Sequence, residues 1–283
     1  MLKGTIIKAG TKRTPAKGPR VIAITSGKGG VGKSNVTLNL ALALADRGQR
    51  VVVFDADLGL ANVEVLLGKK PQYNLYDFLY HGKSIDDIVM VGPKGIRIIS
   101  GGSGVMELAN LSVEALKRLQ GAMQVFDAGV DQVLVDTGAG LSKNTLAFLA
   151  AAHELVVVVT PEPTSITDAY GLIKVLSRYN VHQQVQIIVN KAVNNHEAQQ
   201  TIQKLQLTAE HFLPNIRIEY LGNVAEDINV VQAVKEQKPF VLYNPNCSAS
   251  RSIKKVANQL IGLEHQETGG LSGFFSRLSR LFS

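Results

Sequence analysis

The stretch Val21-Ile22-Ala23-Ile24-Thr25-Ser26-Gly27-Lys28-Gly29-Gly30-Val31-Gly32-Lys33-Ser34-Asn35 decides how this chain is read. Its first five residues form a short apolar, β-branched run, the length of a buried strand. Residues 27–34 fit the phosphate-binding pattern G-x-x-x-x-G-K-[ST] in full. Residues 34–47 follow as a helix, with Leu38, Leu42 and Ala45 on one face. Glycines let the backbone take positive φ, so successive N–H groups can converge on one anion. The helix N-terminus adds partial positive charge. Gly27, Gly29, Gly30, Val31, Gly32, Lys33, Ser34 and Asn35 are therefore the candidate nucleotide-binding residues. Lys33 would reach the β- and γ-phosphates, and the Ser34 hydroxyl would ligate Mg2+.

Outward from this loop, apolar runs alternate with helical periods. Candidate strands are 21–25, 51–55, 96–100, 132–136, 155–160, 185–190 and 216–221. Most are continuous apolar runs, as parallel strands covered on both faces require. Candidate helices lie around 34–47, 73–80, 112–129, 142–151, 166–180, 196–206, 228–236 and 248–262. The alternation predicts an α/β fold, a doubly wound, mostly parallel β-sheet flanked by helices. Such sheets bind ligands at the carboxyl ends of their strands. Residues 1–19 read as a flexible basic leader and 20–263 as the nucleotide-binding domain. Residues 264–270 read as a linker and 271–283 as a separate amphipathic helix.

With 283 residues the chain can bury a sizeable core. Its single cysteine, Cys247, excludes an internal disulfide and fits a reducing cytosol. The six histidines show no metal-ligand spacing. No apolar run approaches the roughly 20 residues of a bilayer span, and no secretory segment follows Met1. The net charge of +7 is unevenly placed. Lys3, Lys8, Lys12, Arg13, Lys17 and Arg20 precede the first acid, and Arg277 and Arg280 close the chain, leaving the body near neutral. Charge confined to the ends suits local contact with an anionic surface rather than a broad basic face.

Lys28 gives the loop the form K-G-G-V-G-K-S. In this it resembles the deviant phosphate loop of the MinD/ParA family of ATPases. The resemblance implies an ATP- and Mg2+-dependent ATPase that forms a homodimer in the ATP state. Lys28 would then cross to the partner's nucleotide, a charge supplied in trans. Two strand ends extend the likeness. Asp55 and Asp57 alternate onto one side of an extended chain, and residues 55–62 match the family's first switch, D-x-D-x-G-x-x-N. The match implies that Asp57 orients the attacking water, that Asp55 supports the Mg2+ shell and that Asn62 lies in the same loop. Val133–Gly140 ends in Asp136 and two glycines, an acidic strand end merged with a second switch. Asp136 would accept from Mg2+-bound water or from Ser34.

The candidate catalytic residues are thus Lys28, Lys33, Asp57 and Asp136; the metal candidates are Ser34, Asp55 and Asp136. Thr160–Tyr170 carries Glu162 and Asp168, which the resemblance places near the signature lysine or the partner's ribose. Ser165-x-x-Asp168 is also a capping-box pattern. Asn190 falls at the family's base-reading position, and 222–227 at the loop that closes over the base. Ala225 stands where the family often has proline.

Near the end of the chain, Phe274, Phe275, Leu278, Leu281 and Phe282 recur on one helical face, with Ser276, Arg277, Ser279 and Arg280 opposite. An aromatic face backed by arginines suits a helix lying in a lipid interface. For one copy, the gain from burying those side chains roughly offsets the cost of ordering the helix. Two copies on a dimer would bind far better, which makes dimerisation a membrane switch. The alternative is a helix docked on the protein's own body. Residues 55–68, residues 160–170 and the F-F-x-R-L-x-x-L-F end resemble the flagellar FlhG branch of the family, also called YlxH or FleN. That branch implies control of flagellar number and placement, cytoplasmic and peripheral on the inner face of the cell membrane. Its implied partners are an FlhF-like GTPase and flagellar switch or regulatory proteins, with DNA not expected. Residues 1–20 lack the D-Q-A-x-x-L-R activator segment common in the branch. The rivals are a ParA-type DNA-partition ATPase and a MinD-type division-site regulator. An iron–sulfur carrier would need paired cysteines, and Cys247 stands alone.

Overall fold

The computed structural model describes residues 18–57, 62–102, 112–263 and 269–282. Residues 1–17 of the leader expected over 1–19, residues 58–61 of the expected first switch and residues 264–268 of the linker expected over 264–270 therefore lie outside the described residues. Eight strands form one sheet: β1 (Arg20–Thr25), β2 (Val51–Ala56), β3 (Val89–Val91), β4 (Arg97–Ser100), β5 (Gln132–Thr137), β6 (Glu154–Val159), β7 (Gln184–Ala192) and β8 (Arg217–Ala225). Their order is β3-β4-β2-β5-β1-β6-β7-β8, and every pairing is parallel except β3 with β4. The helices are α1 (Lys33–Ala45), α2 (Val63–Leu67), α3 (Leu75–Tyr80), α4 (Ile85–Ile88), α5 (Val113–Met123) and α6 (Lys143–Ala151). They continue with α7 (Pro163–Arg178), α8 (Asn195–Phe212), α9 (Ile228–Lys235), α10 (Phe240–Tyr243), α11 (Ser248–Gly262) and α12 (Gly270–Phe282).

The continuous apolar strands serve two cores. Val21 and Ala23 of β1 join the core beneath α5–α8, while Ile22 and Ile24 join the one beneath α1 and α11. This alternation is why the central strands read as unbroken apolar runs. Helix α1 is buried on nearly every side, from Val36 to Leu44, because α11 packs against it and α2 and α10 add to the cover. An apolar stripe on one face therefore understates it.

The predicted doubly wound fold is the one observed, with local departures. Strand β3 escapes sequence reading because it has three residues, held antiparallel to β4 across a tight turn. Helix α7 starts at Pro163 rather than 166, since proline at the first helical position is already set for the turn. The capping box expected at Ser165 does not form. Ser165 lies inside the helix, where its hydroxyl accepts from the Thr160 N–H at 3.0 Å. Helix α8 runs on to Phe212, and the helical stretch expected over 112–129 gives way to a 3-10 turn after Met123.

Helix α12 forms as its periodicity predicts, but its apolar face is turned inward. Leu271, Phe274, Phe275 and Leu278 are buried among α5, α6 and the sheet. Phe275 packs edge-on against Phe54 of β2 with centroids 6.0 Å apart, and Phe274 lies 6.2 Å from Phe148 of α6. The Asp127 carboxylate accepts from the Leu271 N–H at 2.8 Å, which caps the helix from outside. Gly270, at φ +60°, permits that approach, because a Cβ there would fall 2.6 Å from the Asp127 carboxylate. Of the five residues expected at lipid, Phe274, Phe275 and Leu278 are thus buried and Leu281 is exposed. Phe282 ends the helix, and its side chain is outside the description.

Candidate functional site

β1 delivers the glycine loop into α1 at the carboxyl end of the sheet. Gly30 and Gly32 take φ of +80° and +88°, the left-handed conformations that the loop's curvature requires. Gly27 permits a close crossing: a Cβ there would sit 2.2 Å from the backbone of Asp168 in α7. Asp168 therefore supports the loop through its main chain, while its side chain is exposed.

Inside the loop, the Lys33 ammonium donates to Asp136 Oδ1 of β5 at 2.7 Å. Both groups are buried. Thr37, one helical turn beyond Lys33, reaches the same oxygen at 3.0 Å. Asp136 Oδ2 is buried and has no hydrogen-bond partner among the described residues. Asp55 stands directly across the sheet from Asp136 in register. Burial, and then the charge of Asp136, push the Asp55 carboxyl up to about 7. Backbone N–H groups of Asp57, Asn62 and Val63 hold its two oxygens at 3.1–3.2 Å. Asp57 accepts from the Asn62 amide at 3.3 Å, which ties the two ends of the first switch together.

The residues fit Mg2+. A divalent cation takes oxygen ligands; the Ser34 hydroxyl and the Asp136 carboxylate both meet the Lys33 ammonium, at 3.3 Å and 2.7 Å, and Asp136 Oδ2 has no hydrogen-bond partner among the described residues. Ser34 and Asp136 would hold the ion, with Asp55 in the shell behind. The ion would supply neutralisation of phosphate charge.

On the rim, Lys28 is part-exposed and donates to Glu162 at 3.1 Å and to Thr164 at 2.9 Å within its own chain. Asn190 donates to the Val31 carbonyl at 2.7 Å, so the proposed base reader also braces the loop. A cavity of about 210 Å³ opens beside it, lined by Asn35, Asn190, Val224, Asp227, Val231 and Phe240 among others. A larger groove of about 1250 Å³ follows β8 but contains none of the residues around the phosphate loop. The structure thus gathers Lys33, Ser34, Asp55, Asp57 and Asp136 into one site. Lys28, Glu162 and Asn190 form its rim.

Sequence reading missed Thr37, Thr164 and Phe240. The i, i+4 spacing of Lys33 and Thr37 on one helical face is a signal that could have found Thr37. Contacts of Thr164 and Phe240 depend on how distant elements meet. Cys247 is buried at the start of α11, where its sulfur accepts from the Ser250 N–H.

A glycine loop between strand and helix, with its lysine on the acid of a neighbouring strand, defines a P-loop ATPase. The ParA family model, described as NUBPL iron-transfer P-loop NTPase, matches residues 18–261, and the chain belongs to this family. It is 40% identical to antiactivator FleN of Pseudomonas aeruginosa over 92% of this chain and 93% of that protein. It is 37% identical to the flagellum site-determining protein YlxH of Helicobacter pylori, over 92% and 89%. Among solved structures it resembles the septum site-determining protein MinD of Pyrococcus horikoshii complexed with Mg-ADP. The TM-score is 0.70 at 24% identity, with 86% of this chain and 96% of that one covered, a likeness of fold.

Proposed function

We propose that this ATPase regulates flagellar number or placement by cycling between cytosol and membrane with its nucleotide state. The observation that carries the reading is helix α12, whose aromatic face suits lipid by sequence and in this state is docked on the body through Leu271, Phe274, Phe275 and Leu278, with Asp127 and the Ala151 carbonyl as polar anchors. Its Phe275 touches Phe54, the residue next to Asp55 of the site. Identity to FleN and YlxH across nearly the whole chain supports the flagellar role. ATP with Mg2+ would fill the loop, and Lys28 would leave Glu162 for the partner's nucleotide in a homodimer. An exposed pair of this kind is worth about 0–1 kcal/mol, a small barrier to that exchange. Two released copies of α12 would then engage anionic lipid together. No helix among the described residues is long and apolar enough to cross a membrane, consistent with peripheral attachment. An FlhF-like GTPase and flagellar regulatory proteins are the proposed partners.

Co-sedimentation with anionic vesicles, at matched ATP and ADP, tests the cycle. Pelleting should require ATP, and should be lost on deleting residues 271–283 or on Lys28→Ala. Equal pelleting in both nucleotides, or full pelleting without α12, would refute it. DNA that displaced the ATP form from lipid would favour the partition-type alternative, and a MinC-type partner would favour division-site control.

A further inference from the structure

We infer that Thr37 is a positioning residue for ATP hydrolysis, fixing the Asp136 carboxylate so that Oδ2 is left for the divalent cation. The observation is an uneven carboxylate. Asp136 Oδ1 receives two donors, the Lys33 ammonium at 2.7 Å and the Thr37 hydroxyl at 3.0 Å, while Oδ2 receives none. Thr37 and Asp136 are both fully buried.

A threonine inside a helix ordinarily bonds back to the carbonyl four residues earlier. Thr37 does lie 3.0 Å from the Lys33 carbonyl. That habit does not account for the contact with Asp136, which comes from another element of the fold. A hydroxyl has one proton, and both neighbours are acceptors. The bond to an ionised carboxylate is the stronger of the two.

The two donors differ in what they can do next. Lys33 has a long, flexible stem, and its loop position gives it the phosphates as a second partner. Thr37 has a short, β-branched side chain on a buried helix, stiff about χ1. When phosphates draw the ammonium away, Thr37 is the donor that stays, and it keeps Oδ1 engaged and Oδ2 open. Groups that orient a metal ligand in this way typically contribute about 10–100-fold to metal affinity.

The inference rests on the proposed Mg2+ role of Asp136, so the test separates the two. Binding of a fluorescent ADP is measured in excess Mg2+ and in EDTA, for wild type, Thr37→Val, Thr37→Ser and Asp136→Asn. Valine keeps the shape of threonine and removes the hydroxyl. Thr37→Val should keep its EDTA affinity and its melting temperature, and should lose about tenfold of the Mg2+ enhancement. Thr37→Ser should restore most of it. The Mg2+ concentration for half-maximal ATPase should rise in parallel. Wild-type enhancement in Thr37→Val, with enhancement lost in Asp136→Asn, would overturn the role of Thr37 alone. Equal loss of affinity with and without Mg2+ would make Thr37 merely structural. Full enhancement in Asp136→Asn would remove the metal reading of Asp136 and the inference with it.

Discussion

At the carboxyl ends of β2 and β5, three carboxyl groups (Asp55, Asp57 and Asp136) gather near one ammonium, Lys33. Under α12 the balance is reversed. Arg277 donates to the Ala151 carbonyl at 2.8 Å, yet among the described residues its buried Nη2 has no partner, and neither do the two ring nitrogens of His153. His182 Nε2 donates to the Leu149 carbonyl at 2.8 Å. The nearby carboxylate, Glu154, is already engaged by Arg20. The first region is short of positive charge. The second is short of negative charge and is held by apolar packing. Both carry unsatisfied buried groups, which a purely structural core avoids. In the proposed cycle the first would receive a cation and the second would let go of a helix.

The sharpest way to break this comparison lies at Asp57. Asp57→Ala should retain ATP binding and lower turnover by about 10²–10⁴, the usual range for a group that directs proton transfer. Steady-state phosphate release against equilibrium nucleotide binding measures the split. An unchanged rate would remove Asp57 from the chemistry.

A smaller effect is expected at the seam. Truncating a buried phenylalanine costs about 3–5 kcal/mol, and for Phe275→Ala the docked helix, rather than the domain, should yield. Amide exchange over 271–282 should accelerate while exchange in β1 and β5 and the affinity for ADP stay as in wild type. Loss of ADP affinity with the helix would show that the two regions are energetically one.

The smallest effect is set by pH. Burial first, and then the charges of Arg277 and His182, hold the His153 pKa down to about 3 in the docked state. Burial, and then Arg277, lower His182 as well. Arg277 faces this cluster from α12 with the exposed Arg280 beside it, His182 from the turn before β7, and Glu154 from β6 with Arg20 of β1 upon it. Release of α12 would return the imidazoles toward about 6.5. The released state then binds more protons, so docking is strongest above that pH and weakens as pH falls below it. The change should stay under about tenfold per unit for each titrating group. Exchange over 271–282 between pH 8 and 5.5 follows it, and His153→Gln should flatten the dependence. A profile unaltered by that substitution would acquit His153.

The phosphate loop was legible because its chemistry is contiguous: positive-φ glycines, lysine and hydroxyl lie within eight residues. The strand-end acids were legible because an apolar run into a carboxyl group marks where a buried strand surfaces. Thr37 was not, because its partner lies 99 residues away and only the packing of α1 on β5 joins them. The capping pattern at Ser165 misled because Pro163 offers an earlier helix start, and the serine is then drawn to the Thr160 N–H instead.

Helix α12 divides the two kinds of knowledge most clearly. Its period, its aromatic face and its arginines follow from the order of residues alone, since helical geometry puts every third or fourth side chain together. The same is true of the loop, whose function is local. Where the aromatic face goes is not local. Lipid and the groove between α5 and α6 are equally apolar to Phe274 and Phe275, and the hydrophobic effect has no direction of its own. The choice was made by Asp127 meeting the helix N-terminus, by Gly270 leaving room for it, and by Phe54 and Phe148 standing at the right spacing. Those residues come from distant parts of the chain, and only the folded sheet brings them to one place.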